Sequence, residues 1–310
     1  MSRSDPSIAV LGSINMDLVV RSPALPKPGQ TILADSCVEC CGGKGANQAV
    51  AAARAGGNVA LVGRVGDDAF AGRLLANLQR ENVDCQWVRS TANCCSGLAI
   101  VSVERSGQNS IVVVPGANAH LSVADVDAAR SAIESAEILL VQLETPLDAV
   151  LAAIEIAVAN QVRVVLDPAP VPATCPNKLL GVDLVCPNQS EAAAIVGAPV
   201  ESVAQAESAA EELHSRGARL VVITLGRQGT LFFDGRASQL VEPYPVTAVD
   251  TTAAGDAFAG ALSVYWAEGN QLIDTIRFGN AAGALAASRP GAQPSLAVRD
   301  QIESFWRSER

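Results

Sequence analysis

Asp250-Thr251-Thr252-Ala253-Ala254-Gly255-Asp256 follows an apolar, strand-like segment and leads into Ala257-Phe258-Ala259-Gly260-Ala261-Leu262, which reads as a buried helix. Small residues crowd this junction, so its backbone N–H groups can approach another molecule without side chains in the way. The first N–H groups of a helix lack internal partners, and the helix dipole adds partial positive charge there. Such a corner attracts phosphate. A carboxylate, Asp256, occupies the same place. The pairing suits phosphoryl transfer, in which amides hold the charge on the phosphoryl oxygens and a carboxylate takes the proton of the attacking hydroxyl. Asp256 is equally readable as a helix cap worth about 0.5–2 kcal/mol. The readings differ in scale, because removing a general base costs about 10²–10⁴ in rate.

The same seven residues fit the pattern D-T-x-A-A-G-D, and Gly42-Gly43-Lys44-Gly45-Ala46-Asn47 fits a second signature near the other end of the chain. In this order and at this separation, the two signatures resemble those of the ribokinase-like carbohydrate kinases, the PfkB family, from about Ile8 to Ser295. The resemblance implies an α/β protein with a Rossmann-like three-layer αβα fold and a small β-sheet lid. It also implies a single kinase domain over residues 1–310, with a lid built from about 17–41 and 96–115. The implied reaction moves the γ-phosphoryl group of ATP to the 5-hydroxyl of D-ribose. Deoxyribose, another pentose, a ketohexose or a nucleoside are alternative acceptors, and a sugar-sensing protein with a degenerate site is the non-enzymatic alternative.

At 310 residues the chain has ample material for a core, and 49% hydrophobic against 17% charged residues describes a globular protein. A formal charge of −10 and 4% aromatics oppose nonspecific nucleic-acid or membrane binding and leave little for base stacking. Met1 to Pro6 carries no apolar signal region, and no run reaches the roughly 18 apolar residues of a membrane helix. A cytoplasmic location is expected. Of the 8 cysteines, Cys37, Cys40 and Cys41 cluster, as do Cys94 and Cys95; with only His120 and His214 to complete a zinc site, small buried thiols are expected instead.

Ile8 to Leu11 reads as a buried strand ending at Gly12-Ser13. Asn15 and Asp17 follow two apart, on one face of an extended segment, where an amide and a carboxylate suit vicinal hydroxyls; both are also ordinary turn residues. Asp17 to Arg21 and Gln30 to Glu39 read as strands. Gly97 to Val103 and Ile111 to Val114 form a hairpin around Ser106-Gly107-Gln108-Asn109. These segments match the lid, which is too small to bury its apolar face alone, so a homodimer through the lids is expected. Gln48 to Ala55 reads as a helix stopped by Gly56-Gly57. Lys44 does not make a P-loop, since the glycine five places before Gly43 is replaced by Val38. Val59 to Val62, Ile138 to Val141, Val162 to Leu166, Leu184 to Val185 and Leu220 to Thr224 are aliphatic strands. Between them run helices over Phe70 to Glu81, Val123 to Ser135, Leu147 to Asn160 and Val203 to Arg216. That alternation indicates a sheet covered on both faces, with ligands at the carboxyl ends of its strands.

By resemblance, Asn15, Asp17, Gly43, Lys44, Asn47, Glu144 and Asp256 bind the sugar. Asp256, Gly255, Ala254 and Ala253 form the catalytic corner, with the amides of Ala254 to Asp256 as the anion hole. Asn188 and Glu191 match an N-x-x-E motif for Mg²⁺ and phosphate, while Thr224, Gly226, Gly229, Gly255 and Asn280 contact ATP. Asp250, Thr252, Ala286, Arg289, Gly291 and Ser295 match a site for a monovalent cation, usually K⁺. Read without the resemblance, Glu144 and Glu191 are first-turn acids, Gly226 and Gly229 hairpin glycines, and Asn280 an exposed helical residue.

Overall fold

The computed structural model describes residues 5–105 and 108–308. In chain order its strands are β1 (Ser7–Leu11), β2 (Asn15–Ser22), β3 (Ser36–Gly42), β4 (Asn58–Val65), β5 (Val83–Asp84), β6 (Val88–Ser90), β7 (Gly97–Glu104) and β8 (Asn109–Val114). They continue with β9 (Ile138–Val141), β10 (Arg163–Leu166), β11 (Leu184–Val185), β12 (Leu220–Thr224), β13 (Thr230–Phe233) and β14 (Ser238–Val241). The helices are α1 (Lys44–Arg54), α2 (Ala71–Arg80), α3 (Val123–Ala128), α4 (Arg130–Glu134), α5 (Leu147–Ala159) and α6 (Asn177–Leu180). After these come α7 (Gln189–Val196), α8 (Val203–Ser215), α9 (Ala254–Ala267), α10 (Leu272–Ala287) and α11 (Arg299–Ser308).

The large sheet runs β14-β13-β12-β11-β10-β9-β1-β4-β5, with β6 also on β4. From β12 to β5 neighbouring strands are parallel; β13 and β14 are antiparallel. Side chains alternate between its faces, and the core divides accordingly. Ile8, Val10, Leu140 and Val165 point to the side packed by α1, α9 and α10. Ala9, Leu11, Leu139, Val141 and Leu166 point to the side packed by α5 and α8. Three layers result, with the carboxyl ends of the parallel strands along one rim. A second sheet, β3-β2-β7-β8, holds β2 parallel to β7 and antiparallel to β3.

Four expectations need correction. The strand placed over Gln30 to Glu39 begins only at Ser36, because Lys27 to Gln30 closes a turn and only the later residues reach β2. Val123 to Ser135 forms two short helices that break at Ala129. The segment before Asp250 is not a strand: Pro243 and Pro245 have no N–H to donate, and the Val249 and Asp250 amides bond the Ala287 carbonyl of α10 instead. All eight cysteines are free thiols, yet only Cys186 is buried, since Cys37, Cys40 and Cys41 lie on the thin second sheet. Met1 to Ser4, at the start of the Met1 to Pro6 stretch, and Ser106-Gly107 of the expected hairpin turn lie outside the described residues.

Candidate active site

Helix α9 starts at Ala254, so Asp256 is its third residue and is buried. Its carboxylate does not cap the helix. It turns instead toward α1, accepting from Asn47 Nδ2 at 3.0 Å and Gln48 Nε2 at 3.1 Å, with Lys44 Nζ at 3.8 Å. These contacts set aside the reading of Asp256 as a helix cap. The helices can approach because an added Cβ on Gly260 would stand 2.7 Å from the Ala51 Cβ and 2.8 Å from the Gln48 carbonyl. Ala253, just before the helix, adopts a left-handed conformation with φ 60°. For a residue with a Cβ this costs about 1–3 kcal/mol and is retained where the surroundings impose it. The resulting turn leaves the Gly255 and Asp256 N–H groups without partners among the described residues.

Gly255 lines a cavity of about 1270 Å³. Its lining includes Thr224, Gly226, Gly229, Gly255 and Asn280, so the five expected ATP contacts share one wall system. A Cβ built on Gly255 meets no protein atom within 4 Å, which leaves room for a phosphate against the amides. Asn280 is not simply exposed: it accepts from Thr230 Oγ1 at 2.6 Å. Asn188 and Glu191 are not in this lining. They form a reciprocal capping box at α7, with Asn188 bridged to Thr224 at the cavity's edge. Glu191 nevertheless faces the site electrostatically, since its charge acts on both Lys44 and Asp167.

The residues expected to bind a sugar gather around Asp256 on the side of α1 and β2. Gly43 has φ 91°, and a Cβ there would meet the Asn15 nitrogen at 2.7 Å, so this turn requires glycine. Glu144 accepts from Ser13 Oγ at 2.5 Å and from the Lys44 amide at 3.3 Å, rather than serving as a helix-start acid. Asn15 Oδ1 accepts from Asn118 Nδ2 at 2.7 Å. Burial raises the Asp17 carboxyl to about 7, with Glu144 and Asp256 adding to the effect, so three carboxyl groups face one space. Asn47 Oδ1 is buried without a partner, an acceptor left available for a hydroxyl.

Lys44 Nζ lies 3.3 Å from Asp167. Burial alone would depress this ammonium, but Asp167, Asp256, Glu191 and Glu144 hold it well above its usual range. Burial pushes Asp167 up to about 7 against the pull of Lys44. Asp167, Gln48, Ser13 and Asn118 were not singled out in the sequence. For Asp167 a signal existed, an acid immediately beyond the buried strand β10. The other three declare themselves through partners distant in the sequence, Glu144, Asp256 and Asn15.

The six residues matched to a cation site are only partly brought together by direct contact. Asp250 accepts from the amides of Thr252 at 2.9 Å and Gly291 at 3.0 Å. Burial would raise its carboxyl, but these hydrogen bonds prevail and lower it. The Ala286 carbonyl accepts from the Arg289 amide, the Arg289 side chain turns to Gln301, and Ser295 bonds Ala292. Among the described residues, no three or more His, Cys, Asp or Glu side chains form a metal-binding group.

The pattern of the pfkB family carbohydrate kinases matches residues 5–299. The chain is 38% identical over 299 residues to the ribokinase of Haemophilus influenzae, covering 96% of this chain and 98% of that one. It is 32% identical to the deoxyribokinase of Salmonella typhimurium, with 96% and 98% covered. Its structure superimposes on Arabidopsis thaliana ribokinase complexed with ribose and ATP with a TM-score of 0.91 and 33% identity, over 98% and 99% of the two chains. Phosphofructokinase-2 of Escherichia coli in complex with potassium gives 0.80 and 28%, over 98% and 100%. With the signature match spanning nearly the whole chain and the three-layer fold in place, this protein belongs to the PfkB family of carbohydrate kinases.

Proposed function

We propose that the protein transfers the γ-phosphoryl group of ATP to the 5-hydroxyl of D-ribose. The observation that carries this reading is the placement of Asp256. Its buried carboxylate stands between the cavity with nucleotide-lining residues and the polar group of Asn15, Asp17, Asn47 and Glu144. In this reading the hydroxyl gives its proton to Asp256 as it attacks, while the Gly255 and Asp256 amides receive the phosphoryl oxygens, the expected third amide, Ala254, being spent on the Thr251 carbonyl. Lys44 Nζ, held by Asp167 and Asp256, would supply positive charge for the transferred group. Mg²⁺, when bound, would neutralise phosphate charge; it needs only one or two carboxylates, and Glu191 with Asp167 fits that demand. Asp250 and the 286–295 loop would hold a monovalent cation such as K⁺. The second sheet would close over the sugar as a lid and exclude water as a competing acceptor. Its exposed Val38, Ile111 and Val113, which share a face, would pair with a second copy, and the protein would work in the cytoplasm.

Deoxyribose is the competing acceptor, favoured by the deoxyribokinase likeness. Purified protein assayed with ATP against ribose, deoxyribose, fructose and adenosine, with and without K⁺, decides the acceptor by kcat/KM. A preference for another sugar removes ribose and leaves the kinase class. Asp256→Asn should fold, bind ATP and lose about 10²–10⁴ in kcat; turnover near the parent value removes the mechanism.

A further inference from the structure

Gln48 stands one residue beyond Asn47 on α1, is fully buried and does not line the nucleotide cavity. Its Nε2 donates to Asp167 Oδ2 at 2.7 Å and to Asp256 Oδ1 at 3.1 Å. An amide nitrogen carries two protons, so both are engaged, one on each carboxylate. Its Oε1 accepts from Gln142 Nε2 at 2.5 Å, a bond consistent with the amide presenting its nitrogen to the two acids. Gln142 is itself fully buried, just after β9.

We propose that Gln48 is a positioning residue for phosphoryl transfer: it fixes the Asp256 carboxylate toward the acceptor hydroxyl by tying it to Asp167, and Gln142 holds Gln48 in place. The inference rests on Asp256 being the base. Two groups besides Gln48 touch that carboxylate, and neither replaces it. Asn47 bonds only Oδ2, which leaves the group free to turn about its own axis. Lys44 is 3.8 Å from Oδ1, a charge contact too long for a hydrogen bond, and its ammonium is shared with Asp167. Gln48 is therefore the hydrogen-bond donor that locks Oδ1. It moves no proton, so its whole effect is on geometry, to which transfer between positioned groups is sensitive.

The test measures single-turnover rate, KM for ribose and the stoichiometry of nucleotide binding in Gln48→Met, Gln142→Met and Asp256→Asn. Methionine keeps the side-chain length and removes the donor. Gln48→Met is expected to bind nucleotide at full stoichiometry, keep its sugar KM within about twofold and lose about 10²-fold in transfer rate. Gln142→Met, one bond further out, is expected to lose about tenfold. A Gln48→Met rate within about threefold of the parent overturns the proposal. So does a loss matched by an equal loss of nucleotide-binding sites, which marks a structural role only. Should Gln48→Met not fold, an unchanged rate in Gln142→Met overturns it equally. An active Asp256→Asn defeats the base reading itself, whereas an inactive Asp256→Asn beside a fully active Gln48→Met defeats only the role of Gln48.

Discussion

Asp17 and Asp167 are both pushed up to about 7 from an ordinary 3.8, in each case first by burial. Each is thus protonated in the folded chain at pH values where the unfolded chain has already ionised. The folded state then binds more protons, and stability falls as pH rises from about 4 to about 7. Asp68, Asp125 and Asp250 are lowered and act the other way, losing their contribution only in acid below the ordinary carboxyl range. The melting temperature of the ligand-free protein should therefore decline from pH 5 to about 7.5, and Asp17→Asn should flatten that decline. An equally steep decline in Asp17→Asn contradicts the assignment. A second residue-scale outcome concerns Ala253, whose φ of 60° is one that glycine adopts freely. Ala253→Gly should raise stability by up to about 1 kcal/mol while lowering kcat, as the Gly255 and Asp256 amides, proposed to receive phosphate, lose their imposed orientation. Thermal melts and initial rates on the same sample check both halves.

Helices α1 and α9 carry Asn47 and Asp256 on separate segments, and their contact sets the distance between them. At Gly260 the two helices are too close for a side chain, an added Cβ meeting Ala51 and the Gln48 carbonyl. Gly260→Val must push the helices apart, so it should cost about 1–3 kcal/mol from overpacking. Activity should fall further than stability, because Asp256 is drawn from Asn47 and Gln48; denaturant melts against kcat separate the two. This element also shows how far the sequence could be read. The aliphatic runs of β1, β9, β10, β11 and β12 were legible because strands covered on both faces need no polar alternation. The glycine signatures marked α1 and α9 because close backbone approach leaves small residues behind. The segment ahead of Asp250 misled, since Val246 and Val249 look strand-like while the two prolines withhold the hydrogen bonds a strand needs. Asp256 was legible as a candidate, but its partner Gln48 was not: a glutamine in an alanine-rich helix gives no sign that it joins residues 119 and 208 positions away.

At the scale of the molecule, the second sheet is the part that its own chain does not cover. Val38, Ile111 and Val113, on one face by the register of the sheet, are between 45% and 55% exposed there. If two copies pair through it, Val113→Lys should yield a monomer by analytical ultracentrifugation with unchanged far-ultraviolet dichroism; an unaltered sedimentation coefficient opposes that arrangement. The large sheet has a polarity of its own, with Asp167, Asn188 and Thr224 at or just past the carboxyl ends of its parallel strands. The turn between α5 and β10 lies at the opposite rim, where Gln161 is exposed. A tether or reporter peptide grafted at Gln161 would hang from the underside of the catalyst, so the immobilised protein should turn over at the rate it shows free in solution.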